Sequence, residues 1–343
     1  VYDSVLSADQ IAALYTRGQD VIASQETGGG ESWQCRVTPF SDSGKGMTYQ
    51  SNSLTVQAGT PPAVENLALT STSGGDHTYD NLTCSYELTG TATTTATAWY
   101  KDGSPQMLLY MPMEGGSASE ELQDRSGSGH SPTNNGATWS YGTGWNGSGA
   151  FYFQDDTINA GELLPAGGSY SKMAWVKRTG NEMLNIISGD NTGTSHAFWA
   201  NCGPGEGLGA GHGGSWCDVQ DTVNLDEDVW YHVALTYDSS ADYFRLYKNG
   251  VEIDQGPSSM GDTNDPTIFV GGYGDNHEWL GYIDDVRVYN HVLSPEQIEA
   301  IYAEGIDVIV SQETDVGEEW QCRVTPCSTS EKGATHASNT VTI

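Results

Sequence analysis

The chain contains six cysteines, whose thiols can form disulfides or bind metal ions. Cys202 and Cys217 lie fifteen positions apart (217 − 202) in a glycine-rich stretch, which suits a disulfide that closes a loop. His212 lies between them, so a metal site with thiolate and imidazole ligands is the alternative interpretation. Paired cysteines would indicate an oxidising compartment outside the cytosol.

Acidic side chains could supply the two carboxyl groups of a glycoside hydrolase, which stand about 5 to 5.5 Å apart in retaining enzymes. The sequence arrangement that comes nearest to such a catalytic pair is Glu252 and Asp254, which follow the predicted hairpin turn at Asn249 and Gly250. His232 lies in the apolar string WYHVALTY, which is more typical of a packed histidine than of a base. No nucleophile, base and orienting acid occur at a recognisable spacing, so we predict no catalytic residues and no enzymatic activity.

Composition limits the partners of the chain. The formal net charge is −32 and the pI is about 4.2, which argues against nucleic acid and anionic membrane surfaces as partners. Divalent cations and glycans are compatible with this charge. No apolar run approaches about 18 residues, so we expect no membrane insertion in this segment.

The longest pattern in the chain is an internal repeat. The 56 residues from Val288 to Ile343 match those from Val1 to Val56 without a gap, at an offset of 287 positions (288 − 1), and 34 of them are identical. We therefore expect a tandem repeat of about 287 residues, in which residues 1–57 are the tail of a preceding repeat. Neighbouring copies of the same repeat or protein are the expected partners.

A short helix is predicted inside the repeated stretch. Ser294, Pro295 and Gln297 form a capping box with proline at the first helical position, and Gly305 is placed to end the helix. Residues 7–18 repeat this pattern in the first copy. The chain is otherwise rich in glycine and aromatic residues, with frequent turns and little helical periodicity, which predicts an all-β fold class.

Two separate parts of the chain resemble one immunoglobulin-like sandwich. Three predicted strands cover residues 64–69, 82–88 around Cys84 and 96–101 around Trp99, and the later strands follow only after Gly305, with Cys322 among them. The resemblance implies a Cys84 to Cys322 disulfide packed against Trp99, with two free buried thiols as the alternative. The domain would then comprise residues 60–106 and 305–343, separated by an insertion.

The two remaining cysteines belong to the repeated stretch. Cys35 aligns with Cys322, so its expected partner is the equivalent of Cys84 in a preceding unit. Cys327 stands where the first copy has Phe40, which indicates that it fills a half-buried site.

Residues 107–304 resemble the LamG-like branch of the concanavalin A-like lectin/glucanase superfamily. The resemblance rests on LLYMPMEGG, LQDRSGSGH, WYHVALTYD, LYKNGVEI and above all GYIDDVRVYNHVLSPEQIEAIY. It implies two antiparallel sheets packed as a jelly-roll sandwich with its first and last strands side by side. Strands are predicted at residues 150–153, 172–177, 230–237, 243–248, 251–254, 267–270 and 279–289.

The same resemblance implies a structural calcium ion. The positions that match the family's site are Glu114, Asp124, Ser126, Gly129, Asp284 and Asp285. Mixed carboxylate and carbonyl oxygens suit calcium. We expect only one of Asp284 and Asp285 to face the ion, because neighbouring side chains on a strand point to opposite faces. In the alternative interpretation, these acids form solvated turns.

Lectin sites in this fold use loop aromatics that stack on sugar rings. The candidates here are Trp139, Trp145, Trp216, Tyr273 and Trp279. Asn81 and Asn146 begin glycosylation sequons, which fits export of the chain.

The flanking parts also resemble immunoglobulin-like repeats of archaeal and bacterial surface proteins, some of which are interrupted by a LamG-like domain. We therefore expect an extracellular or cell-surface location and a structural repeat of a fibre, sheath or stalk, stabilised by calcium. The alternative is a lectin-like adhesin that binds glycans through the LamG-like loops.

Overall fold

The computed structural model describes residues 6, 11, 14–15, 22, 27–41, 44–56, 59–115, 118–180, 184–190, 195–202, 207–274 and 277–343. The chain divides into two units, Val1–Thr60 and Pro61–Ile343. The predicted all-β fold class is confirmed. Among the described residues, no helix is long and apolar enough to cross a membrane. The helix expected over residues 7–18 lies largely outside the described residues.

The second unit contains a larger and a smaller β-sandwich. One sheet of the larger sandwich has eight antiparallel strands: Thr138–Tyr141, Gly149–Phe153, Gly281–Tyr289, Tyr170–Arg178, Tyr231–Asp238, Tyr243–Lys248 and Val251–Pro257 in spatial order, with Met107–Met111 beside Gly281–Tyr289. This places the first and last strands of the sandwich side by side, as the resemblance implied.

Two four-stranded sheets form the other layer. They consist of Thr133–Asn135, Thr157–Glu162, Thr267–Val270 and Ile187–Ser188, and of Leu184–Asn185, His196–Ala200, Leu208–His212 and Ser215–Gln220. A single apolar core, which includes Phe151, Val233 and Trp279, lies between the layers. The strands predicted for this part of the chain are all present. The predicted turn is also present, since Asn249 and Gly250 both have positive φ, as a type I′ hairpin requires.

The smaller sandwich combines strands from before and after the larger one. One sheet contains Ser104–Pro105, Thr94–Lys101, Glu319–Cys327, His336–Ala337 and Val341–Thr342, and the other contains Val308–Ile309, Leu82–Thr89 and Ala63–Ser71. Cys84 and Cys322 form a disulfide between the two sheets. Trp99 packs beside it and meets the ring of Trp320 edge-on at 6.3 Å.

A second apolar core joins the two sandwiches. It contains side chains from the smaller sandwich, such as Ala98 and Tyr100, and from the outer face of the eight-stranded sheet, such as Met173 and Tyr247. The helix Pro295–Glu304 completes this core. These buried contacts pack the two sandwiches against each other.

The local signals predicted for this helix are confirmed. Ser294 Oγ accepts a hydrogen bond from Gln297 N, Pro295 occupies the first turn, and Gly305 ends the helix at φ 81°. The buried Gln297 side chain then donates to Val308 O and accepts from Val310 N. A short 3-10 helix, Ser311–Glu313, follows.

The first unit has short strand pairs of its own. Ser32–Trp33 pairs with Leu54–Thr55, Arg36–Val37 with Tyr49–Gln50, and Phe40–Ser41 with Gly44–Lys45. The remaining short helix of the described chain, Ala118–Glu121, lies in the second unit and follows the strand Met107–Met111.

Candidate metal and aromatic site

Two buried carboxylates meet beside a central strand of the eight-stranded sheet. Glu114 follows the strand Met107–Met111, and Asp284 lies within Gly281–Tyr289. The loop between Thr138–Tyr141 and Gly149–Phe153 contacts both acids: Asn146 Nδ2 donates to Glu114 Oε1 at 2.9 Å, and Trp145 N donates to Asp284 Oδ2 at 3.1 Å. Since adjacent loop residues bind them, the two carboxyl groups lie close together.

Burial makes the charged forms of these two acids unfavourable. It raises the pKa of Glu114 to about 8, with a further contribution from the charge of Asp285. Burial also raises the pKa of Asp284 well above its usual value, and Glu114 and Asp285 add to this effect. Asp284 Oδ1 is buried and lacks a hydrogen-bond partner in the described part of the chain. The pair therefore requires a proton or a cation to be stable.

Asp285 differs from its neighbour because it has a cation of its own. Its Oδ1 accepts from Arg287 Nε at 3.0 Å and its Oδ2 from Arg287 Nη2 at 2.5 Å, and both side chains are buried. Burial still raises the pKa of Asp285, while the Arg287 guanidinium acts to lower it.

The strand that contains Asp284 and Asp285 has a β-bulge at this point, so simple alternation does not decide which of the two side chains faces the ion. Asp285 has a φ of 53°, and the pairing with the neighbouring strand shifts at this point. Ile283 and Val286 both enter the core of the larger sandwich, so both aspartates project from the opposite face.

The predicted ligands Asp124, Ser126 and Gly129 lie in a hydrogen-bonded turn. Asp124 Oδ1 accepts from the backbone N–H groups of Tyr110 and Ser126, and its Oδ2 accepts from Ser126 Oγ and His130 N. Both carboxylate oxygens are therefore occupied by donors from the protein. This is the turn-forming role that the alternative interpretation gave to these residues.

Calcium fits Glu114 and Asp284 better than it fits the full predicted set. Among the described residues, no group of three or more His, Cys, Asp and Glu side chains is arranged to hold a metal ion. The two uncompensated carboxylates and the unpartnered Asp284 Oδ1 nevertheless match the charge and oxygen chemistry of calcium. A Cβ on Gly144 would stand 2.7 Å from Asp284 Oδ2, so only glycine lets this loop approach so closely. Glu114 and Asp284 would hold the ion, which would neutralise their buried charges.

Aromatic rings cover the same region. Trp145 stacks on Trp175, and Trp175 in turn lies 5.8 Å from the ring of Tyr302. Trp145 and Tyr302 are each 37% exposed, so solvent reaches part of this group. We call Trp145, Trp175 and Tyr302 the aromatic patch.

Two of the predicted sugar-stacking residues are not available for that role. Trp279 is fully buried in the core of the larger sandwich, and Tyr273 is buried against Trp216. Trp139 is half-buried and packs on the same core. Trp145 and the half-buried Trp216 keep accessible surface. Trp175, which the sequence gave no reason to select, lies beneath Trp145.

Other predicted sites have structural partners. Cys202 and Cys217 form a disulfide. His212 is buried, with its ring nitrogens hydrogen-bonded to Tyr170 OH and to Gly261 O, so the metal interpretation of this loop is wrong. The Asn81 and Asn146 side chains are exposed. Cys327 is fully buried rather than half-buried.

The acids considered for catalysis are also engaged elsewhere. Glu252 forms an ion pair with Arg245 at 2.8 Å, and Asp254 accepts from Gln220 N at 2.8 Å. His232 is buried, and burial lowers its pKa to about 3.

A buried polar cluster was missed in the sequence. Lys172 is fully buried between the sheets, where Nζ lies 2.6 Å from His196 Nδ1. Burial lowers the pKa of Lys172 well below its usual value. The alternation in Tyr170–Arg178 places Lys172 on the same face as Ala174 and Val176. This alternation is the sequence signal that could have predicted a buried lysine.

Comparison with known proteins finds a family match within the larger sandwich. Residues 146–299 match the family model of the concanavalin A-like lectin/glucanases superfamily. No curated protein matches the chain.

Several solved structures are similar in fold. Domain 4 of AbnA, a GH43 extracellular arabinanase from Geobacillus stearothermophilus solved in complex with arabinotriose, is 20% identical, with a TM-score of 0.47 over 58% of this chain and 98% of that one. The binding domain of Paraclostridial Mosquitocidal Protein 1 is 14% identical, with a TM-score of 0.41 over 58% of this chain. The match spans 52% of that binding domain's length. The SAP-like pentraxin from Limulus polyphemus is 18% identical, with a TM-score of 0.36 over 48% of this chain and 86% of that one.

Proposed function

We propose that this chain is a non-catalytic structural repeat of an extracellular fibre, sheath or stalk. The observation that carries the proposal is the apolar core shared by the concanavalin A-like sandwich and the smaller sandwich. A binding domain displayed on a flexible linker needs no such core. A unit that must hold a fixed shape along an array does.

Polar contacts support a rigid junction. Lys332 of the smaller sandwich forms a buried ion pair with Glu121 of the larger one at 3.1 Å. Asp307 accepts from Thr97 Oγ1 and Tyr86 OH beside the junction. Two disulfides add covalent links and favour an extracellular or cell-surface location.

Calcium at Glu114 and Asp284 would add to this rigidity. The ion would join the end of the first strand of the larger sandwich to its last strand, beneath the loop that contains Trp145 and Asn146. Because an ion that binds only the folded state stabilises it by mass action, the repeat would be most stable in calcium-rich surroundings.

The absence of catalysis in this proposal rests on how the acids are used. Glu252 and Asp254 bind their own neighbours, and Glu114 and Asp284 are buried beneath a loop. Hydrolysis of a glycoside needs two carboxyl groups facing an open cleft.

A second candidate function is glycan binding, and the aromatic patch favours it. Trp145 presents part of its surface to solvent while Trp175 supports it from below. A supported indole of this kind suits stacking on a sugar ring. The lectin-like adhesin is therefore the alternative function.

Two measurements test these functions. Electron microscopy of the native material should show filaments or a sheath, and dispersed single particles would contradict the structural proposal. A glycan array with the full chain and with Trp145→Ala tests the second candidate. Selective binding that is lost in the variant would favour the adhesin. An array without selective signals would contradict the adhesin and favour the structural role.

A further inference from the structure

The described residues of 31–56 share several pairings and hydrogen bonds with residues 318–343. We call them the upstream half and the downstream half. Trp33 pairs with Leu54 as Trp320 pairs with Val341. The indole of Trp33 donates to Glu31 at 3.0 Å, and that of Trp320 donates to Glu318 at 3.1 Å.

The agreement extends to the cysteine of each half. Cys35 N donates to Ser51 Oγ at 3.0 Å, and Cys322 N donates to Ser338 Oγ at 3.1 Å. Val37 pairs with Tyr49 as Val324 pairs with His336. The two halves therefore share both sequence and hydrogen bonds, and their apolar side chains are arranged alike.

The surroundings of the two halves differ. The downstream strand Glu319–Cys327 pairs with Thr94–Lys101 from Trp320 to Cys327. Its side chains Trp320, Cys322 and Val324 are buried in the core between this sheet and the one that contains Leu82–Thr89. In the upstream half, Cys35 is an exposed free thiol, and Val37, Phe40 and Leu54 are 59%, 75% and 66% exposed. An apolar strand surface that is fully covered in one copy is thus open to solvent in the other.

We propose that the upstream half binds the early strands of another unit, a segment with the strand pattern of Ala63–Ser71, Leu82–Thr89 and Thr94–Lys101. This rests on the proposed function of the chain as a repeat in an array. The occupant is defined by what covers the downstream half. It has strands of alternating apolar residues in both sheets, a cysteine at the position of Cys84 and a tryptophan at that of Trp99.

The pairing of the downstream half with Thr94–Lys101 also predicts the strand register between the upstream half and its partner. Cys322 lies opposite Trp99 on the neighbouring strand, and the Arg323 guanidinium lies 3.8 Å from the centre of the Tyr100 ring. By the same offset, Cys35 lies opposite the partner's tryptophan, and Arg36 lies over the partner's tyrosine. The Sγ of Cys35 then meets the cysteine that is equivalent to Cys84.

The contact becomes covalent by disulfide exchange with a small-molecule disulfide such as oxidised glutathione. The Cys35 thiolate attacks one sulfur of that disulfide and releases one small thiol. The partner's thiolate then attacks Cys35 Sγ in the mixed disulfide and releases the second small thiol. The two protein thiols are oxidised, the small disulfide is reduced, and the two protons pass to the released thiolates.

A synthetic peptide tests the proposal against the full-length chain. The chain carries Cys327→Ser, so that Cys35 is its free thiol in the described part. The probe peptide spans residues 61–103 and contains one cysteine, that of position 84. The control peptide keeps this cysteine but carries Leu82→Asp and Trp99→Asp, which remove two buried apolar contacts. Both are mixed with the chain and oxidised glutathione, and disulfides are mapped by mass spectrometry.

We expect Cys35 to join the probe peptide at least about tenfold faster than the control, because the apolar contacts concentrate the partner at the thiol. Val37→Asp in the chain should remove this preference. Equal rates for the two peptides, or a Cys35 adduct with glutathione alone, would overturn the proposal. Neither result affects the microscopy of native material, so failure here is distinguishable from failure of the structural role.

Discussion

The indole of Trp145 lies flat on the indole of Trp175, with ring centroids 4.1 Å apart and planes inclined by 3°. The backbone N–H of the same Trp145 donates to Asp284 Oδ2. One residue therefore anchors the loop to the sheet through its ring and closes the loop over the buried acids through its backbone.

Replacing Trp145 with alanine should destabilise the chain by about 1 to 2 kcal/mol, because both the stacking and part of the ring burial are lost. Urea denaturation followed by circular dichroism measures this change. Tyr141→Ala is the matched control, since Tyr141 is an exposed aromatic residue of the same hairpin. Its effect should stay within about 0.5 kcal/mol. Equal losses from both substitutions would contradict the anchoring role of Trp145.

Calcium should raise the melting temperature of the chain, and a chelator should lower it. Asp284→Asn should abolish this response, because it removes one of the two carboxylates that would hold the ion. In chelator, the same variant should melt at or above the wild-type temperature, since an uncompensated buried charge is gone. Differential scanning calorimetry measures both effects.

Asp124→Asn is the comparison for calcium. Asp124 binds four donors of its own turn, so this variant should lose stability but keep the calcium response. A calcium response that depends on Asp124 and not on Asp284 would refute Glu114 and Asp284 as the pair that holds the ion.

Glu121 should give the chain a characteristic pH dependence. Burial raises the pKa of Glu121 to about 7, although the neighbouring Lys332 acts to lower it. The folded state then holds a proton that the unfolded state releases near pH 4.5, so this stabilising contribution is complete below about pH 4.5. As the pH rises to about 7, this contribution is lost and the free energy of unfolding falls by up to about 3 kcal/mol.

Glu121→Gln cannot titrate, so the difference between wild type and variant isolates this contribution. Urea denaturation at pH 5 and pH 7.5 should show that wild type loses more stability than the variant as the pH rises. A wild type that gains stability relative to the variant over this interval would show that the ion pair with Lys332 outweighs burial.

The two disulfides should contribute unequally to stability. A disulfide that closes 238 positions would stabilise an otherwise free chain by roughly 5 kcal/mol, and one that closes 15 by roughly 3 kcal/mol. The larger sandwich already holds Cys84 near Cys322, so the double replacement of this pair by serine should cost less than the free-chain value. Thermal melts of both double variants test this, and peptide mapping that finds Cys84 bonded to Cys35 would contradict the smaller sandwich as described.

The strands and the helix could be predicted from the sequence because their signals are local. The cap at Ser294, the turn at Asn249 and Gly250, and the alternation around Cys84 each depend on a few neighbouring residues. The Cys84 to Cys322 pair was also accessible, since the order of Cys, Trp and Cys along the strands suggested one sandwich.

The candidate site was only partly accessible because it depends on long-range geometry. Regular strand alternation predicts that Asp284 and Asp285 point to opposite faces of the sheet. The β-bulge at Asp285 breaks this alternation and cannot be predicted from residue types alone. Asp124 has the residue type of a calcium ligand, but its donors come from the backbone. Trp279 lies next to a loop in the sequence, yet packing places it in the core.

The position of the Cys84 to Cys322 bond has a mechanical consequence. Every strand of the larger sandwich lies between these two cysteines in the chain. Tension that enters through Ala63–Ser71 and leaves through Val341–Thr342 would pass across the sulfur–sulfur bond and never pull on the larger sandwich. The bond would thus withhold roughly 80 nm of extensible chain under load. Reduction would release that length, which makes the bond a limit on how far this unit can stretch.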